Sequence, residues 1–372
     1  MPVEIKEVTS RRDRREFIYL PEKIHQNHDG WLPPIYMDEK NYFNPKKNPA
    51  FDYSETVLSL AYRDGRPVGR IMGIINNRYN DLYQERQARF GYLECWNEPE
   101  VADALMDHVE EWARQHGMQK IIGPFGFTDQ DPEGLIIEGF EHHATIATYY
   151  NYEYMVDLVE KHGYRKEIDY VVYRVDATQD IPDFYKKIHH RVTRTGEFSL
   201  LEFHKRKEVK PHAKPVFRLM NDCFKDIYGY TPLDEREMEE LAKQYLPVLD
   251  PRFVKFVERE GELVAFVIGI PDMSEGIRKA RGRLFPFGIF KILRSAKKTR
   301  QLDLLLGGVK EEYRGRGLDV MMGYRMMVEA QEAGMEILDS HHELENNTMM
   351  RAEMERMGGE IYKRYRIFQK DL

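Results

Sequence analysis

The chain has 372 residues and a formal net charge of −7, with 42% hydrophobic and 32% charged residues. This balance is globular, and a soft prior of about 150 residues per domain predicts two domains or one large one. Bulk affinity for nucleic acid or anionic membranes is not expected from this charge alone. The two cysteines, Cys95 and Cys223, have no metal or redox spacing, and no long uncharged run occurs, so the sequence predicts a cytoplasmic protein.

The first part of the chain begins with a strand over residues 3–8, and Thr9 or Ser10 is suited to cap the helix that follows. Residues 30–51 are rich in proline and aromatic residues and show no periodicity. Segments of this kind are typically functional or disordered, and the aromatic content favours an ordered one. We expect it to pack as a surface between domains or protomers rather than to line a substrate pocket.

Self-similarity within the chain indicates two copies of one unit. The hairpin-like segment at residues 57–70 has a counterpart at residues 254–266. Three glycines of the first copy match three of the second in the same order, at offsets of 196, 217 and 195 residues: Gly65 with Gly261, Gly117 with Gly334, and Gly163 with Gly358. Each copy has the element order strand, helix, hairpin, strand, helix, strand, helix, strand. The boundary is expected near residues 176–183, where the strand pattern breaks.

The changes in offset place one insertion in each copy. The insertion in the first copy, around residues 126–150, contains His142 and His143, but no third histidine or cysteine stands at ligand spacing, so no metal site is predicted. Its tyrosines suit either acceptor recognition or ordinary loop contacts. The insertion in the second copy, around residues 274–300, is basic and aromatic, with no acidic residue between residues 276 and 300. It suits an anionic membrane, a calmodulin-like partner, or a flap that closes an acyl tunnel, and its place in the chain favours the flap.

A glycine-rich turn at Arg314, Gly315, Arg316 and Gly317 joins an apolar run at residues 302–309 to a helical pattern that begins at Leu318. Such a turn leaves the first amide groups of the helix unpaired, and the helix dipole adds about half a positive charge there. This geometry suits a phosphate. An arginine- and glycine-rich surface turn without a ligand is the alternative.

The spacing of Arg314 and Gly317 resembles the pyrophosphate-binding loop of the GNAT superfamily of acyl-coenzyme A-dependent N-acyltransferases. The family pattern has glycine or alanine where this chain has Asp319. The chain thus resembles a tandem GNAT protein with a degenerate amino-terminal copy. The resemblance implies an α/β (α+β) fold of two GNAT-like halves, each a mixed, mostly antiparallel sheet flanked by helices. The halves are expected at residues 1–177, without a phosphate loop, and at residues 178–372.

The first copy has lost the loop. Opposite it stand Asn97, Glu98, Pro99 and Glu100, of which the proline lacks an amide hydrogen and the two glutamates repel phosphate. The first copy is therefore not expected to bind coenzyme A. In the second copy the resemblance implies that acetyl-coenzyme A or another acyl-coenzyme A is held by Val309, Arg314, Gly315, Arg316, Gly317, Leu318 and Asp319.

The resemblance also implies an N-acyltransferase that acts on a small amine or amino-acid-like acceptor. Glu343, Glu345 and His342 are the candidate bases, and Asn347 opens the last helix. Met354, which cannot donate a proton, stands where the family has a tyrosine acid, so either Tyr362, Tyr365 or water takes that part or there is no acyl transfer. Two alternatives are an inert binding or sensing module and a membrane-surface acyltransferase with long acyl donors. We expect a small-molecule acceptor and no nucleic acid as partners, with a homodimer and transient membrane contact through residues 276–300 left open.

Overall fold

The structure is a computed structural model that describes residues 2–146 and 148–372. In chain order the strands are β1 (Glu4–Glu7), β2 (Ser54–Arg63), β3 (Arg66–Asn76), β4 (Gln87–Cys95), β5 (Lys120–Gly123), β6 (Leu135–Glu138), β7 (Arg165–Asp176), β8 (Ser199–Glu202), β9 (Val254–Arg259), β10 (Glu262–Pro271), β11 (Gln301–Val309), β12 (Ile337–Asp339), β13 (Glu343–Leu344) and β14 (Glu360–Asp371).

The α-helices are α1 (Arg11–Ile24), α2 (Tyr36–Tyr42), α3 (Asn77–Tyr83), α4 (Pro99–Gln115), α5 (Tyr154–Lys161), α6 (Asp183–Thr195), α7 (Arg206–Val209), α8 (Ala213–Phe224), α9 (Glu235–Tyr245), α10 (Ser274–Ala280), α11 (Gly288–Ala296), α12 (Leu318–Glu332) and α13 (Thr348–Arg356). The chain divides into two compact units. Unit 1 comprises Met1–Val171, Met273–Ser295 and Lys363–Leu372, and unit 2 comprises Val172–Asp272 and Ala296–Tyr362.

Unit 1 contains a sheet in the order β1, β2, β3, β4, β5, β14, with β6 paired to β14. Among its pairs only β4 and β5 run parallel. The β2–β3 hairpin turns at Asp64 and Gly65, whose positive φ angles of 54° and 70° match the twist of a tight hairpin. The buried stripe of α4 packs against this sheet at Gly69, where a Cβ would lie 2.8 Å from Leu105 Cδ1. The helix can therefore approach the strand closely only because glycine stands there.

Unit 2 contains a sheet in the order β7, β12, β11, β10, β9, β8, and among these pairs only β11 and β12 run parallel. The β9–β10 hairpin turns at Glu260 and Gly261, with φ angles of 53° and 82°. The α12 helix packs on this sheet through Leu318, Met321 and Met322. Each unit is thus a mixed, mostly antiparallel sheet flanked by helices, as the sequence predicts.

The last strand of each predicted copy ends in the other unit. The end of β7, from the first copy, lies in unit 2, and the end of β14, from the second copy, lies in unit 1. Residues 174–176 of β7, before the predicted boundary, pair with β12 of unit 2. Residues 368–371 of β14, at the end of the second copy, pair with β5 of unit 1. The division between residues 177 and 178 stays a prediction, and the unit boundaries fall inside β7, after Val171, and inside β14, before Lys363.

The proline-rich segment at residues 30–51 differs from expectation. Tyr36 and Phe43 are 2% and 1% exposed and belong to a core cluster of unit 1. Phe43 packs edge-on against Phe17 of α1, with ring centroids 5.2 Å apart. The expectation of a surface between domains or protomers is wrong for these side chains, because the aromatic residues fill the space beneath α1.

A buried charge cluster fastens β14 and the end of α5 to α4 in unit 1. The Lys370 ammonium donates to both oxygens of Glu110 at 2.8 and 2.9 Å, and His162 lies 3.2 Å from the same carboxylate. Burial alone would raise the pKa of Glu110, but the hydrogen bonds from His162 and Lys370 lower it to about 2. The hydrogen bond to Glu110 raises the pKa of His162 above its ordinary 6.5.

We expect Lys370→Met to lower the free energy of unfolding by about 3 kcal/mol, because it leaves the Glu110 charge buried with one partner fewer. The exposed Lys161, 3.9 Å from Asp157, provides the control, and Lys161→Met should change nothing measurable. The contribution of Glu110 is lost as pH falls through about 2, and that of His162 is lost as pH rises through its raised pKa. Urea titrations should therefore show a difference between parent and variant that shrinks as pH falls from 4.5 towards 2, where Glu110 of the parent takes up a proton. A difference independent of pH would contradict this account.

Candidate active site

The parallel strands of unit 2 separate after three residue pairs. Gln301, Leu302 and Asp303 of β11 lie opposite Ile337, Leu338 and Asp339 of β12. Beyond Asp303, β11 continues to Val309 paired only with β10 in the described part of the chain. One edge of β11 therefore offers backbone amides and carbonyls to an extended ligand.

The glycine turn follows the end of β11, as the sequence predicts. Gly315 and Gly317 have φ angles of 75° and 84°, which L side chains rarely adopt. Gly317 is the N-cap of α12, and no side chain caps it. A Cβ at Gly315 would meet nothing within 4 Å, whereas one at Gly317 would lie 2.8 Å from Ile188 Cγ2. The open side of the turn is therefore at Gly315, and the first amides of α12 are left for an anion.

The two arginines of the turn differ in their surroundings. Arg314 donates through Nε to the Val309 carbonyl at 3.2 Å and through a guanidinium nitrogen to the Cys223 carbonyl at 3.4 Å. Arg316 forms an ion pair with Glu197 at 2.6 Å. Carbonyl partners leave the charge of Arg314 uncompensated, while Glu197 offsets that of Arg316. We therefore rank Arg314 above Arg316 as the charge partner of an anionic ligand.

Asp319, the departure from the family pattern, is exposed in the first turn of α12, and Leu318 beside it is fully buried. A carboxylate is favoured at the start of a helix by the dipole. To stay clear of a bound pyrophosphate, the carboxylate would have to cap the turn or pair with a cation such as Arg281 or Arg283. The Arg283 guanidinium is already engaged, since it donates to both oxygens of Glu22 at 2.9 and 2.8 Å.

The candidate bases follow β12. Glu343 is half-buried in β13, and desolvation raises the pKa of its carboxyl to about 8. Glu345 and His342 are also half-buried, and the Glu345 carbonyl accepts from Arg351 at 2.8 Å. A base works best with a pKa near the operating pH, so Glu343 is the best matched of the three.

The end of the chain contains the remaining candidates. Asn347 is the N-cap of α13, and its side chain accepts from the Met350 amide at 3.3 Å. Met354 is 2% exposed and packs in the interior. Tyr362 is half-buried, and its hydroxyl donates to the Asp339 carboxylate. Tyr365 is fully buried, which leaves Tyr362 the more accessible of the two tyrosines.

Sequence reasoning missed Asp339. It is 1% exposed, lies opposite Asp303 at the last pair before the strands separate, and accepts from the His341 amide at 2.8 Å as well as from Tyr362. The guanidinium of Arg174 lies 4.7 Å from the centre of the Tyr362 ring. An aspartate that ends a predicted buried strand was a usable signal, since such residues often anchor the turn that follows.

In unit 1 the chain itself fills the corresponding gap. β4 pairs with β5 only through Gln87, Ala88 and Arg89. Beyond these, the Phe90 carbonyl accepts from the Phe125 amide at 2.8 Å, and the Tyr92 amide donates to the Tyr149 hydroxyl at 3.1 Å. At the start of α4, Arg63 binds the carboxylates of Glu98 and Glu100. That the first copy does not hold coenzyme A stays a prediction.

Sequence reasoning also missed two half-buried acids in unit 1, Asp131 and Glu39. Burial raises the pKa of Asp131 to about 6 and that of Glu39 to about 7. Asp131 accepts from the Tyr42 hydroxyl at 2.8 Å. In the described residues, Asp107, Glu110 and His162 are close enough to hold a metal ion, but the Lys370 ammonium already binds Glu110. No helix in residues 2–146 and 148–372 is both long and apolar enough to cross a membrane.

No protein-family model matches the chain. Its structure is similar to a tandem GNAT protein from the clavulanic acid biosynthesis pathway, with a TM-score of 0.55, 13% identity, and coverage of 99% of this chain and 98% of that one. It is also similar to a GCN5-related N-acetyltransferase from Sphaerobacter thermophilus, with a TM-score of 0.52, 13% identity, and coverage of 99% and 95%. The fold is therefore that of the tandem GNAT proteins.

Two relatives match in sequence over almost their whole length. The chain is 30% identical over 372 residues to the bacterial ceramide synthase of Caulobacter vibrioides (strain NA1000 / CB15N), covering 98% of this chain and 96% of that protein. It is 26% identical over 376 residues to protein YghO of Escherichia coli (strain K12), covering 99% and 95%. The chain has the fold of the tandem GNAT proteins and belongs to the family of the Caulobacter ceramide synthase.

Proposed function

We propose that the protein is an acyl-coenzyme A-dependent N-acyltransferase with its site in unit 2. The observation that carries this proposal is the continuity of the free edge of β11 with the uncapped start of α12. An extended thioester arm needs the first feature, and a pyrophosphate needs the second. Arg314 supplies a positive charge, and Gly315 leaves open space where a phosphate would approach the backbone.

The chain's own residues supply the proton transfers in this proposal. Bound acyl-coenzyme A would provide an activated acyl carbonyl. Glu343, with a pKa of about 8, takes the proton from the acceptor ammonium. Tyr362 remains the candidate acid, but its hydroxyl donates to Asp339. That hydrogen bond must break before Tyr362 can give its proton to the thiolate leaving group. If the bond is kept, water is the acid.

We further propose that the acceptor is a long-chain amino alcohol rather than a small amine. The support is the name of the Caulobacter relative, because a ceramide is the amide of a fatty acid with such an alcohol. The acyl donor would then be a long-chain acyl-coenzyme A. If the protein were instead an inert binding module, it would bind acyl-coenzyme A without transferring the acyl group.

Release of free thiol from acyl-coenzyme A tests the proposal. We expect palmitoyl-coenzyme A with a sphingoid amine to release thiol and yield an amide at a rate at least tenfold above that with ethanolamine, because transition-state binding of a long chain buries apolar area. Acetyl-coenzyme A as the donor and ethanolamine as the acceptor serve as the short-chain controls. Thiol release that is faster with small amines would return the acceptor to the small class. Binding of acyl-coenzyme A with no release for any amine would favour the inert module.

A further inference from the structure

Four large apolar side chains of unit 1 stand together in solvent. Phe285, Phe287, Phe290 and Leu293 are 75%, 70%, 67% and 39% exposed. They lie in the turn before α11 and on one side of that helix, three residues apart from Phe287 onwards. We call them the phenylalanine surface. Because they are exposed, they do not close an acyl tunnel, and the flap expected from the sequence is not what the structure shows.

Positive charge surrounds the phenylalanine surface. Arg281, Lys291 and Arg294 are exposed, and no acidic residue occurs between residues 276 and 300. In the described residues no ion pair is formed by Arg281 or Arg294, whereas Arg283 is paired with Glu22. Lys297 and Lys298 follow α11 directly in the sequence. Apolar rings bordered by unpaired cations are the composition of an interfacial membrane-binding segment.

Residues 276–296 pack closely on the side opposite the phenylalanine surface, and this packing holds that surface in position. A Cβ at Gly276 would lie 2.6 Å from Ile292 Cα, and one at Gly288 would lie 1.7 Å from the Arg283 carbonyl oxygen. The Gly282 carbonyl accepts from the Tyr36 amide at 3.0 Å. Glycines bring the backbones together, and the hydrogen bond and the Arg283–Glu22 pair fix the segment to the rest of unit 1. The three phenylalanines project from a rigid support rather than from a loose loop.

We propose that the phenylalanine surface docks the protein on an anionic lipid bilayer, with the rings in the interface and the basic side chains at the headgroups. Charge favours a bilayer over a second copy of the chain, because two copies would bring the basic side chains around one phenylalanine surface against those around the other. The net charge of −7 opposes approach of the rest of the chain to such a bilayer, so the basic rim also sets the orientation. The inference goes beyond acyl transfer and does not depend on it.

Sedimentation of the full chain with vesicles tests the proposal without any acyl donor. We compare vesicles of pure phosphatidylcholine with equal mixtures of phosphatidylcholine and phosphatidylglycerol. We expect binding to the anionic vesicles that falls roughly tenfold or more when Phe285→Ser, Phe287→Ser and Phe290→Ser are combined. Arg294→Ala should weaken binding to anionic vesicles and leave the weak binding to neutral ones unchanged.

Phe184→Ser is the matched control, because Phe184 is 48% exposed but lies on α6, outside the segment. It should bind vesicles as the parent does. Thermal unfolding of each variant verifies that the exposed substitutions leave the fold intact. The proposal is overturned if the parent does not bind anionic vesicles, or if the triple variant binds them equally well. A dimer in analytical centrifugation that the triple variant converts to a monomer, with vesicle binding unchanged, would assign the surface to a second copy instead.

Discussion

Gly315→Ala is expected to weaken the binding of acetyl-coenzyme A by roughly tenfold to a hundredfold. Hydrogen bonds to a charged group contribute about 1.5–3 kcal/mol each, and a methyl group at Gly315 points into the space where a phosphate would meet the turn. We prefer this position to Gly317, because any side chain there would collide with Ile188. A loss of binding in such a variant would not distinguish misfolding from loss of the phosphate site. Isothermal titration at constant pH measures the change.

Gly334→Ala provides a matched control at the other end of the same helix. Gly334 has a φ angle of 74°, against 75° at Gly315, and a Cβ at either glycine meets nothing within 4 Å. The two variants should therefore lose similar stability, about 1 kcal/mol, from the same backbone strain. If both variants bind acetyl-coenzyme A as the parent does, the glycine turn is not the phosphate site. If both lose affinity equally, the loss comes from general destabilisation.

Glu343→Gln is expected to lower the rate of acyl transfer by about a hundredfold or more, since amide nitrogen and oxygen cannot accept the ammonium proton. The parent rate should rise with pH and level off above an apparent pKa of about 8. The variant should lack that step. Glu345→Gln is the control, because Glu345 is two residues away and equally half-buried. If Glu345→Gln lost most of the acyl-transfer rate and Glu343→Gln lost little, the base would be Glu345 and not Glu343.

The same variant has a stability effect of known sign. Burial raises the pKa of Glu343 from 4.5 to about 8, so the folded state binds this proton more tightly than the unfolded chain does. The stability of the parent must then fall as pH rises from 4.5 towards 8, and Glu343→Gln removes this contribution. The melting temperature of the variant should exceed that of the parent by a margin that grows over this range. A margin that shrinks would contradict the raised pKa.

The sequence predicts much of the local structure, because the signals for it are local. Asp64-Gly65 and Glu260-Gly261 mark the two hairpins, since both residues of each turn have positive φ. The apolar run at residues 302–309 and the glycines after it gave β11 and the start of α12 nearly to the residue. Matching glycines at near-equal offsets then gave the duplication. Each of these inferences rests on residues close together in the chain.

Long-range placement was not available from the same signals. Nothing in β14 distinguishes pairing with β5 from pairing within its own copy, because an alternating strand fits either edge. The outward direction of Phe285, Phe287 and Phe290 depends on close approach at Gly276 and Gly288, which only the packed chain reveals. The pairing of Asp339 with Tyr362 was missed because the two residues meet only after the strands are laid side by side.

The Arg63 contacts at the start of α4 have a further consequence. In unit 1 the chain supplies its own anions, since Glu98 and Glu100 stand at the helix start and Arg63 neutralises them. At the start of α12 the balance of charge is reversed, since Arg314 and Arg316 precede it and Asp319 is the one acid of its first turn. The two helix starts have thus diverged in charge, with acids neutralised by an arginine in unit 1 and arginines in excess of acid in unit 2.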